Sequence, residues 1–315
     1  MRKFAVPVVL LAATSIWCVL APATSATHVQ CGADITQSTT LDTDLFNCPP
    51  PHAIRIGVPG VTLDLGGHIV DGTGEGRGVV SRSENAAGAT VLNGIVREFQ
   101  YGVHFSGADS QTVRNIEATD NFTGVVMLNG TRALIEGITT TRNTATSINL
   151  GDQIQPIVRR NEMFGNGGGI GGGLIVEGKL KNNRIHDNGS GIGWTSFREG
   201  RIVNNDIKRN DRYGIYMEDW SDNNMLLNNV LIGNGIDGIF IDQFTSPGNL
   251  IEGNVAIGNG DDGIDVDETG STLTRNRATY NDDLGIETVP GTIDGGGNKA
   301  RWNGNPAQCT GVTCN

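Results

Sequence analysis

Asparagine recurs along this chain at intervals close to 22 residues, and this repeat limits the possible folds more than any other feature. The column consists of Asn121, Asn143, Asn166, Asn188, Asn210, Asn234, Asn259 and Asn281, at spacings of 22, 23, 22, 22, 24, 25 and 22 residues. The 46 glycines and 5% aromatic content would fit a disordered chain, but disorder has no reason to keep a period. The period therefore indicates a stack of similar units.

Two further columns keep step with the first. Five or six residues earlier stand Asn115, Gly137, Asn161, Asn183, Asn205, Asn229, Asn254 and Asn276. After the first column come the glycine and apolar pairs Gly102-Val103, Gly124-Val125, Gly191-Ile192, Gly214-Ile215, Gly238-Ile239, Gly263-Ile264 and Gly285-Ile286. Short β-forming runs such as Arg201-Ile202-Val203 lie between these marks. Three short strands per unit of 22 to 25 residues are typical of one coil of a parallel β-helix.

Other repeat folds fit less well. Leucine-rich repeats need a Leu-x-x-Leu-x-Leu pattern, and propeller blades need about 40 residues. Coils stacked at about 4.8 Å would place the asparagine amides in a hydrogen-bonded ladder. The apolar residues Leu180, Ile202, Leu226, Ile251 and Leu273 would then form an inward core. We expect the glycine-rich tract 165–173 to form a bulge or tight turn, because no helix follows to make it a phosphate-binding loop.

The first 26 residues read as a signal peptide. Arg2 and Lys3 precede an apolar run through Leu20, which is followed by small residues up to Ala26. No later segment approaches the roughly 20 apolar residues of a membrane span. The sequence thus predicts a secreted, extracellular protein with an N-terminal cap over residues 27–52, a β-helix over 53–289 and a C-terminal cap over 290–315, since the ends of such a stack need covering.

Four cysteines would remain after cleavage, two near each end. Cys31, Cys48, Cys309 and Cys314 permit three pairings, and an exported protein can keep disulfides. The local pairing, Cys31 with Cys48 and Cys309 with Cys314, best suits an elongated body. A zinc site is less favoured, because no histidines accompany the cysteines at a zinc-binding spacing.

The net charge is acidic. It is −11 for the whole chain and becomes −13 once Arg2 and Lys3 are removed. Nucleic acid is therefore not expected as a partner, since phosphate binding needs a basic surface. The acidic residues could serve solubility as readily as cation binding. We expect the protein to be a monomer.

The segment 60–72, Gly-Val-Thr-Leu-Asp-Leu-Gly-Gly-His-Ile-Val-Asp-Gly, together with the repeat columns, resembles the pectin-lyase-like superfamily. More closely, residues 55–289 resemble secreted bacterial parallel β-helix repeat proteins. The resemblance implies an all-β, single-stranded right-handed parallel β-helix. Its relatives include pectate and alginate lyases, polygalacturonases, mannuronan epimerases and copper-chaperone-associated repeat proteins. The Tyr-Gly-x-Asp-Pro-His-Asp signature of the epimerases and the Gly-His-Gly of polygalacturonases are absent, so the resemblance assigns no catalytic residue.

Alternation along the strands predicts which side chains face outward. Residues two and four positions after each repeat glycine should point away from the core. These are Tyr216, Phe240, Asp265 and Glu287 at the first position and Glu218, Asp242 and Asp267 at the second. Carboxylates one coil apart raise one another's pKa unless cations or protons intervene.

Two chemistries fit this acidic stripe. Asp242, Asp265 and Asp267 are predicted to be catalytic, as general acid and base in glycoside hydrolysis. Alternatively, Glu218, Asp242 and Asp267 would hold Ca²⁺ that neutralises a uronate during β-elimination. A purely structural role, in which the acids solvate the edge of the sheet, stays open. The calcium-binding nonapeptide repeat is not favoured, because its copies would have to recur every nine residues.

Aromatic residues accompany the acids. Phe197, Trp220 and Phe244 stand six residues after successive glycines and predict an aromatic column, which either binds sugar or stabilises the turn. The predicted substrate-binding residues are Tyr216, Trp220, Phe244 and Arg212. Candidate bases are His104, His186, Lys208, Arg209, Arg212 and Tyr213, and the five histidines share no copper-binding spacing.

Two hypotheses about function follow. The first is an enzyme, lyase or hydrolase, acting on extracellular polysaccharide, with an acidic polysaccharide as one option, along the outer face of residues 191–287. The second is a non-catalytic carbohydrate-binding or cell-surface module that uses the same face.

Overall fold

The computed structural model describes residues 28–82 and 86–315, which form a stack of short parallel strands. The predicted signal peptide, residues 1–26, lies outside the described residues. In chain order the strands are β1 (Ala33–Ile35), β2 (Thr39–Thr40), β3 (His52–Ile56), β4 (Thr62–Asp64), β5 (Ile69–Asp71), β6 (Arg77–Arg82), β7 (Thr90–Arg97), β8 (Tyr101–Ser106), β9 (Thr112–Thr119), β10 (Thr123–Thr131), β11 (Leu134–Glu136), β12 (Thr139–Thr141), β13 (Thr146–Ile154), β14 (Ile157–Arg159), β15 (Glu162–Phe164), β16 (Gly168–Val176), β17 (Lys179–Lys181), β18 (Arg184–His186), β19 (Ile192–Arg198), β20 (Arg201–Val203), β21 (Asp206–Lys208), β22 (Ile215–Glu218), β23 (Met225–Leu227), β24 (Val230–Ile232), β25 (Ile239–Ile241), β26 (Leu250–Glu252), β27 (Val255–Ile257), β28 (Ile264–Val266), β29 (Thr272–Thr274), β30 (Arg277–Thr279), β31 (Ile286–Thr288), β32 (Ile293–Asp294) and β33 (Lys299–Arg301).

The strands form three faces. Face 1 is a 12-stranded sheet in the order β1-β3-β6-β8-β10-β13-β16-β19-β22-β25-β28-β31. Face 2 contains β2, β4, the first half of β7, the first half of β9, β11, β14, β17, β20, β23, β26, β29 and β32. Face 3 contains β5, the second halves of β7 and β9, β12, β15, β18, β21, β24, β27, β30 and β33. Each strand pairs in parallel with its equivalent one coil away, so the chain is the predicted β-helix of 12 coils.

The register repeats without slipping. On face 1, Ile215 pairs with Ile239, and Ile239 pairs with Ile264. Because these pairs are 24 and 25 residues apart, residues of successive repeats become direct neighbours. The inward side chains predicted from the sequence, Leu180, Ile202, Leu226, Ile251 and Leu273, are all completely buried and form part of one continuous core.

The first asparagine column forms the expected ladder at the turn between faces 3 and 1. Nδ2 of Asn188 donates to Oδ1 of Asn210 over 3.2 Å, and Nδ2 of Asn210 donates to Oδ1 of Asn234 over 3.0 Å. The backbone N–H of Asn188 also donates to Asn210 Oδ1, over 3.1 Å. The ladder continues one coil beyond the predicted column, to Asn303. Each amide thus satisfies backbone and side-chain groups of a turn that is closed to water.

The second column differs from the prediction at its start. The buried ladder begins at Asn161 and runs through Asn183, Asn205, Asn229, Asn254 and Asn276 to Asn298. Asn115 and Gly137 lie one residue before the ladder position, with φ of 49° and 64°. Ile116 and Ile138 occupy that position instead, and each is 1% exposed. In the first coils the turn is therefore filled by apolar packing rather than by an amide.

Glycine stands at the start of most face 1 strands, where the coils stack closely, although Ser147 holds the equivalent position in β13. A Cβ atom added to Gly238 would lie 2.5 Å from the carbonyl oxygen of Gly263 in the next coil. The glycine-rich tract behaves differently from its prediction, because residues 168–176 form strand β16 of face 1 rather than a tight turn. Within this strand Gly172 has a φ of 146°, which a larger residue would not adopt without strain.

Disulfides close both ends of the stack. Cys31 pairs with Cys48 and Cys309 with Cys314, with Cα–Cα distances of 5.2 and 6.2 Å, which confirms the local pairing. Strands β1 and β2, and β32 and β33, extend the stack into both segments assigned to caps from the sequence. None of the described residues belongs to a helix long and apolar enough to cross a membrane.

Candidate active site

The outward row predicted from alternation exists on face 1. Tyr216, Phe240, Asp265 and Glu287 are paired in register on the adjacent strands β22, β25, β28 and β31. Their chain neighbours Ile215, Ile239, Ile264 and Ile286 are completely buried on the other side of the sheet. Two aromatic side chains and two carboxylates therefore stand side by side, one strand spacing apart.

A cluster of carboxylates surrounds the acidic half of this row, and we call Asp237, Asp262, Asp265 and Glu287 the acid cluster. Carboxylate oxygens of Asp262, Asp265 and Glu287 lie within 4.8 Å of one another. Asp237 and Asp262 are each 4% exposed and stand just before the repeat glycines. Oδ1 of Asp237 accepts the backbone N–H of Asp262 over 2.8 Å, and Oδ1 of Asp262 accepts that of Leu284 over 2.6 Å. These two aspartates thereby fix the spacing of the coils beneath the site.

Burial raises the pKa values of the cluster. The pKa of Asp265 rises to about 8, chiefly through burial and then through the charges of Asp267 and Asp237. Burial also raises the pKa of Asp262, assisted by its hydrogen bond with Glu287. The pKa of Asp237 rises to about 7, again mainly through burial. At neutral pH the cluster therefore retains protons.

One oxygen of the cluster has no partner within the protein. Oδ1 of Asp265 is shielded from solvent and forms no hydrogen bond with any described residue. A buried polar atom without a partner costs free energy, so such atoms are rare outside functional sites. The atom belongs to a residue of the outward row but is itself covered by its neighbours.

Three aromatic rings form a stack next to the acid cluster. The ring centroids of Tyr213 and Tyr216 are 4.9 Å apart, and those of Tyr216 and Phe240 are 5.5 Å apart with an interplanar angle of 4°. The guanidinium of Arg212 lies 5.6 Å from the ring centroid of Tyr213. Phe240 pairs directly with Asp265, so the aromatic stack and the acid cluster adjoin.

On the other side of the aromatic stack, face 1 carries few side chains. Gly171 and Gly193 hold the positions in register with Tyr216, and Gly173 and Thr195 hold those in register with Glu218. The outer surface of β16 and β19 is therefore low, and the aromatic rings rise above it. The low floor, the aromatic stack and the acid cluster follow one another along the helix axis.

The acids at the second predicted outward position, Glu218, Asp242 and Asp267, do not come together as the acid cluster does. Glu218 accepts a hydrogen bond from the Tyr216 hydroxyl at 2.7 Å, and Asp242 Oδ1 accepts the backbone N–H of Phe244 at 2.8 Å. Burial raises the pKa of Asp267, as does the charge of Asp242. Among the described residues, the groups of three acids with cation-like spacing are Asp262 with Asp265 and Glu287, and Asp262 with Asp261 and Asp283. The calcium ligands predicted from the sequence, Glu218, Asp242 and Asp267, are in neither group and stay a prediction.

The predicted column of Phe197, Trp220 and Phe244 does not form. Phe197 is completely buried, whereas Trp220 and Phe244 are 63% and 68% exposed. The backbone N–H of Phe197 donates to the hydroxyl of Ser221, so Ser221 rather than Trp220 is the neighbour of Phe197 in the next coil. The turn after β22 contains two left-handed residues, Asp219 and Trp220, with φ of 25° and 52°. They offset this coil by one residue, so that Phe197 and Trp220 do not stack on each other.

Sequence reasoning did not single out Asp237 and Asp262, and it considered Tyr213 only as a candidate base and not as part of an aromatic stack. All three occupy the position immediately before the repeat glycine, where the backbone leaves a turn and strand alternation does not yet apply. A column drawn at that position would have revealed them. Of the candidate bases, His186 stacks on Phe164, while Lys208 pairs with Asp206 on face 3 and not with the acid cluster.

Solved structures with a similar fold include a tailspike protein and two proteins named for polysaccharides. The Dettilon tailspike protein has a TM-score of 0.62 at 16% identity, and the alignment covers 85% of this chain and 61% of the tailspike. The periplasmic alginate epimerase AlgG has a TM-score of 0.59 at 14% identity, covering 88% and 74%. A GH87 alpha-1,3-glucanase catalytic domain in complex with tetrasaccharides has a TM-score of 0.59 at 12% identity, covering 88% and 62%. At these identities the likeness concerns the fold.

The chain thus spans about three fifths of the tailspike and of the glucanase domain. No curated protein sequence matches it. The family described as "right handed beta helix region" matches residues 77–231 and 169–278, which together cover more than half of the chain. The protein therefore belongs to the right-handed β-helix family.

Proposed function

We propose that this protein hydrolyses glycosidic bonds of a polysaccharide bound along face 1. The observation that carries the proposal is the meeting of Asp262, Asp265 and Glu287 within 4.8 Å, beside the stack of Tyr213, Tyr216 and Phe240. Glycoside hydrolysis needs one carboxyl group that is protonated at the working pH and one that is ionised. The raised pKa of Asp265 suits the protonated member of such a pair, and Glu287 stands beside it in the outward row.

Asp265 is the proposed general acid. Its pKa of about 8 keeps it protonated at neutral pH, and its side chain belongs to the outward row next to Phe240. Glu287, the neighbouring outward carboxylate in the row, is the proposed nucleophile. Asp262 would position Glu287 through their shared hydrogen bond. The short separation of the carboxyl oxygens resembles the roughly 5 to 5.5 Å of retaining glycosidases more than the 6.5 Å or more of inverting ones.

The aromatic stack supplies the proposed sugar-binding surface. Aromatic rings bury the apolar faces of sugar rings and carry large contact energies. A sugar seated against Phe240 lies about one strand spacing, roughly 4.8 Å, from Asp265. The low floor of Gly171 and Gly193 leaves room for the adjoining sugars of a chain that runs along the axis. The predicted roles of Arg212, Trp220 and Phe244 would be contacts at the edges of this groove.

Two structural neighbours support a polysaccharide substrate. The alginate epimerase and the glucanase share the fold, and the glucanase domain was solved in complex with tetrasaccharides. The two disulfides fit an oxidising compartment outside the cytoplasm, where such polymers occur.

A second candidate is calcium-assisted binding or β-elimination of an acidic polysaccharide. It is favoured by one observation, that Asp262 belongs to two different groups of three acids with cation-like spacing. Ca²⁺ prefers several carboxylate oxygens, and a bound ion would neutralise both the cluster and a uronate. In that case the carboxyl groups would be ionised and could not act as general acids.

The test is a panel of neutral and acidic glycans incubated with the purified protein, with calcium or with a chelator. Hydrolysis predicts new reducing ends without ultraviolet absorbance of unsaturated uronates, unchanged by the chelator. Asp265→Asn and Glu287→Gln should each lower the rate at least about 100-fold. Asp211→Asn, an exposed carboxylate two coils away, is the matched control and should retain activity.

Three results would contradict hydrolysis. Absorbance of unsaturated uronates that disappears with the chelator would favour the calcium-assisted lyase. Retention on one glycan without any product would favour the non-catalytic module. Equal activity of Asp265→Asn and the unsubstituted protein would exclude the acid cluster as the site of the chemistry.

A further inference from the structure

Two aromatic side chains are exposed at the C-terminal end of the stack, away from the acid cluster. Tyr280 and Trp302 are 56% and 60% exposed. Their rings stack on each other with centroids 5.2 Å apart and an interplanar angle of 21°. They stand just before Asn281 and Asn303, so they lie on the outside of the turn that joins face 3 to face 1. Large exposed apolar rings that pack only on each other are candidates for contact with a ligand.

Both aromatic residues have a left-handed backbone conformation. Their φ angles are 62° and 61°, whereas Gly233 and Gly258 hold the equivalent positions of the two preceding coils with φ of 64° and 62°. A bulky residue in this region is less stable than glycine by about 1 to 2 kcal/mol. The same left-handed conformation occurs at this position in earlier coils, at Asp120, Arg142, Asp187 and Arg209, so it belongs to the turn. What distinguishes Tyr280 and Trp302 is that large aromatic side chains occupy the position and are more than half exposed.

Three cations surround the pair. Arg277 and Lys299 are register partners on β30 and β33, and Arg301 follows on the same face. Together with Trp302 they line one surface hollow, and the guanidinium of Arg301 lies 5.9 Å from the Trp302 ring centroid. Among the described residues none of the three forms an ion pair, in contrast to the nearby Arg275, which pairs with Glu252. The three cations thus form a region of positive charge on a chain whose net charge is −11.

Next to Tyr280 the surface is open. Trp302 covers one face of the Tyr280 ring, so the other face is directed toward the coil of Gly258. Backbone hydrogen bonds place Arg209, Gly233, Gly258 and Tyr280 in successive coils at the same position. The two glycines carry no side chains. The surface between the Arg209 side chain and the Tyr280 ring is therefore low over two coils, and we call this surface the shelf. Ile232 and Ile257 border this shelf on face 3 and are partly exposed.

We propose that Arg277, Tyr280, Lys299, Arg301 and Trp302, the C-terminal patch, form a binding site for an anionic polysaccharide. The ring of Tyr280 would stack on a sugar placed over Gly258, and the three cations would bind its carboxylate or sulfate groups. The patch lies around the corner from the acid cluster and shares no residue with it. This function goes beyond the proposed hydrolysis, because it retains the protein on an acidic matrix whether or not that matrix is cleaved.

Affinity electrophoresis through gels that contain polygalacturonate tests the proposal, with gels that contain neutral dextran as reference. The full-length protein and its Asp265→Asn variant should both be retarded by polygalacturonate, because the patch acts without the acid cluster. Trp302→Ala should weaken the apparent Kd about fivefold, the value expected for loss of one stacking contact. The triple substitution Arg277→Ala, Lys299→Ala and Arg301→Ala should weaken it at least tenfold, and retardation of the unsubstituted protein should decrease with added salt.

The matched control removes the same charge elsewhere. Lys179, Lys181 and Arg201 form a group of cations on β17 and β20 of face 2, and no exposed aromatic residue stands beside them. Their triple alanine variant should bind polygalacturonate as the unsubstituted protein does. Phe122→Ala removes an aromatic ring that is 50% exposed and serves as the control for Trp302→Ala. Unchanged thermal unfolding of each variant establishes that it is folded.

Several results would overturn the proposal. Equal weakening by the two triple substitutions would show that binding reflects net charge alone. Retardation that is lost in Asp265→Asn but kept in Trp302→Ala would place anionic glycan binding on face 1. Binding to vesicles of anionic lipid without retardation by polygalacturonate would assign the patch to a membrane surface. None of these outcomes affects the hydrolysis measurements, so the two proposals fail separately.

Discussion

Replacing one rung of the asparagine ladder should destabilise the protein far more than its single side chain would indicate. In Asn210→Ala, three hydrogen bonds of 3.2 Å or less disappear: one donated to Asn234 and two accepted from the backbone and side-chain amides of Asn188. A fourth, donated to the Ile185 carbonyl oxygen over 3.5 Å, is long and is left out of the sum. At about 1 kcal/mol each these three amount to about 3 kcal/mol, and the buried Asn188 backbone N–H, left without a partner, adds about 1 kcal/mol or more. We therefore expect the free energy of unfolding to fall by about 4 kcal/mol, a large share of the 5 to 15 kcal/mol typical of a folded domain.

Urea unfolding followed by far-ultraviolet circular dichroism measures this change. Asn228→Gly is the matched control, because Asn228 is exposed with a φ of 53°, and Gly253 holds the same position in the next coil. Its effect should stay within about 0.5 kcal/mol. A loss below 1 kcal/mol in Asn210→Ala would refute the reasoning, since it would mean that the turn satisfies its polar groups without the ladder.

Three further predictions concern the stack and the acid cluster. Gly238→Ala should lower the free energy of unfolding by about 2 kcal/mol in urea titrations, because the new Cβ atom meets the Gly263 carbonyl oxygen at 2.5 Å and the coils must separate; an unchanged midpoint would contradict this. The raised pKa of Asp237, about 7, means that the folded state binds its proton more tightly than the unfolded state, so stability is lost as pH rises from about 4 to 7. Asp237→Asn should remove that loss. The free energy of unfolding of the variant, relative to that of the unsubstituted protein, should rise by up to about 3 kcal/mol between pH 4 and pH 8. A difference that does not depend on pH would show that Asp237 does not titrate in this range. Removing the Cys31–Cys48 disulfide should destabilise the protein by about 3 kcal/mol, and removing the Cys309–Cys314 disulfide by about 2 kcal/mol, because the first closes a loop of 17 residues and the second a loop of 5. Thermal unfolding of the two double serine variants measures the order. The reverse order would contradict the chain-entropy argument.

The sequence predicts the coil architecture well because the residues that stack on one another recur at a regular spacing. Asn188, Asn210 and Asn234 each hold the next coil by the same hydrogen bonds, so one spacing describes all of them. The second column is offset at Asn115 and Gly137 for a physical reason. A left-handed turn residue and a buried ladder residue are adjacent in each coil, and asparagine and glycine suit the first position as well as asparagine suits the second.

The candidate site was predictable only where strand alternation holds. Asp265 and Glu287 follow the repeat glycine within a strand, and their outward direction is fixed by the pleat. Asp237 and Asp262 precede the glycine in a turn, where direction depends on dihedral angles that residue type does not determine. Trp220 was misplaced for the same reason, since left-handed residues in its turn shift the equivalence of the coils.

The uniform register of face 1 has a consequence for how such a protein can change over generations. Every coil packs only against the coil before and the coil after it. Duplication or deletion of one repeat between β13 and β19 would lengthen or shorten the low floor by about 4.8 Å while leaving β22 to β31 unaltered. The length of the low floor and the composition of the acid cluster are thus encoded in separate stretches of the gene, and each can vary without the other.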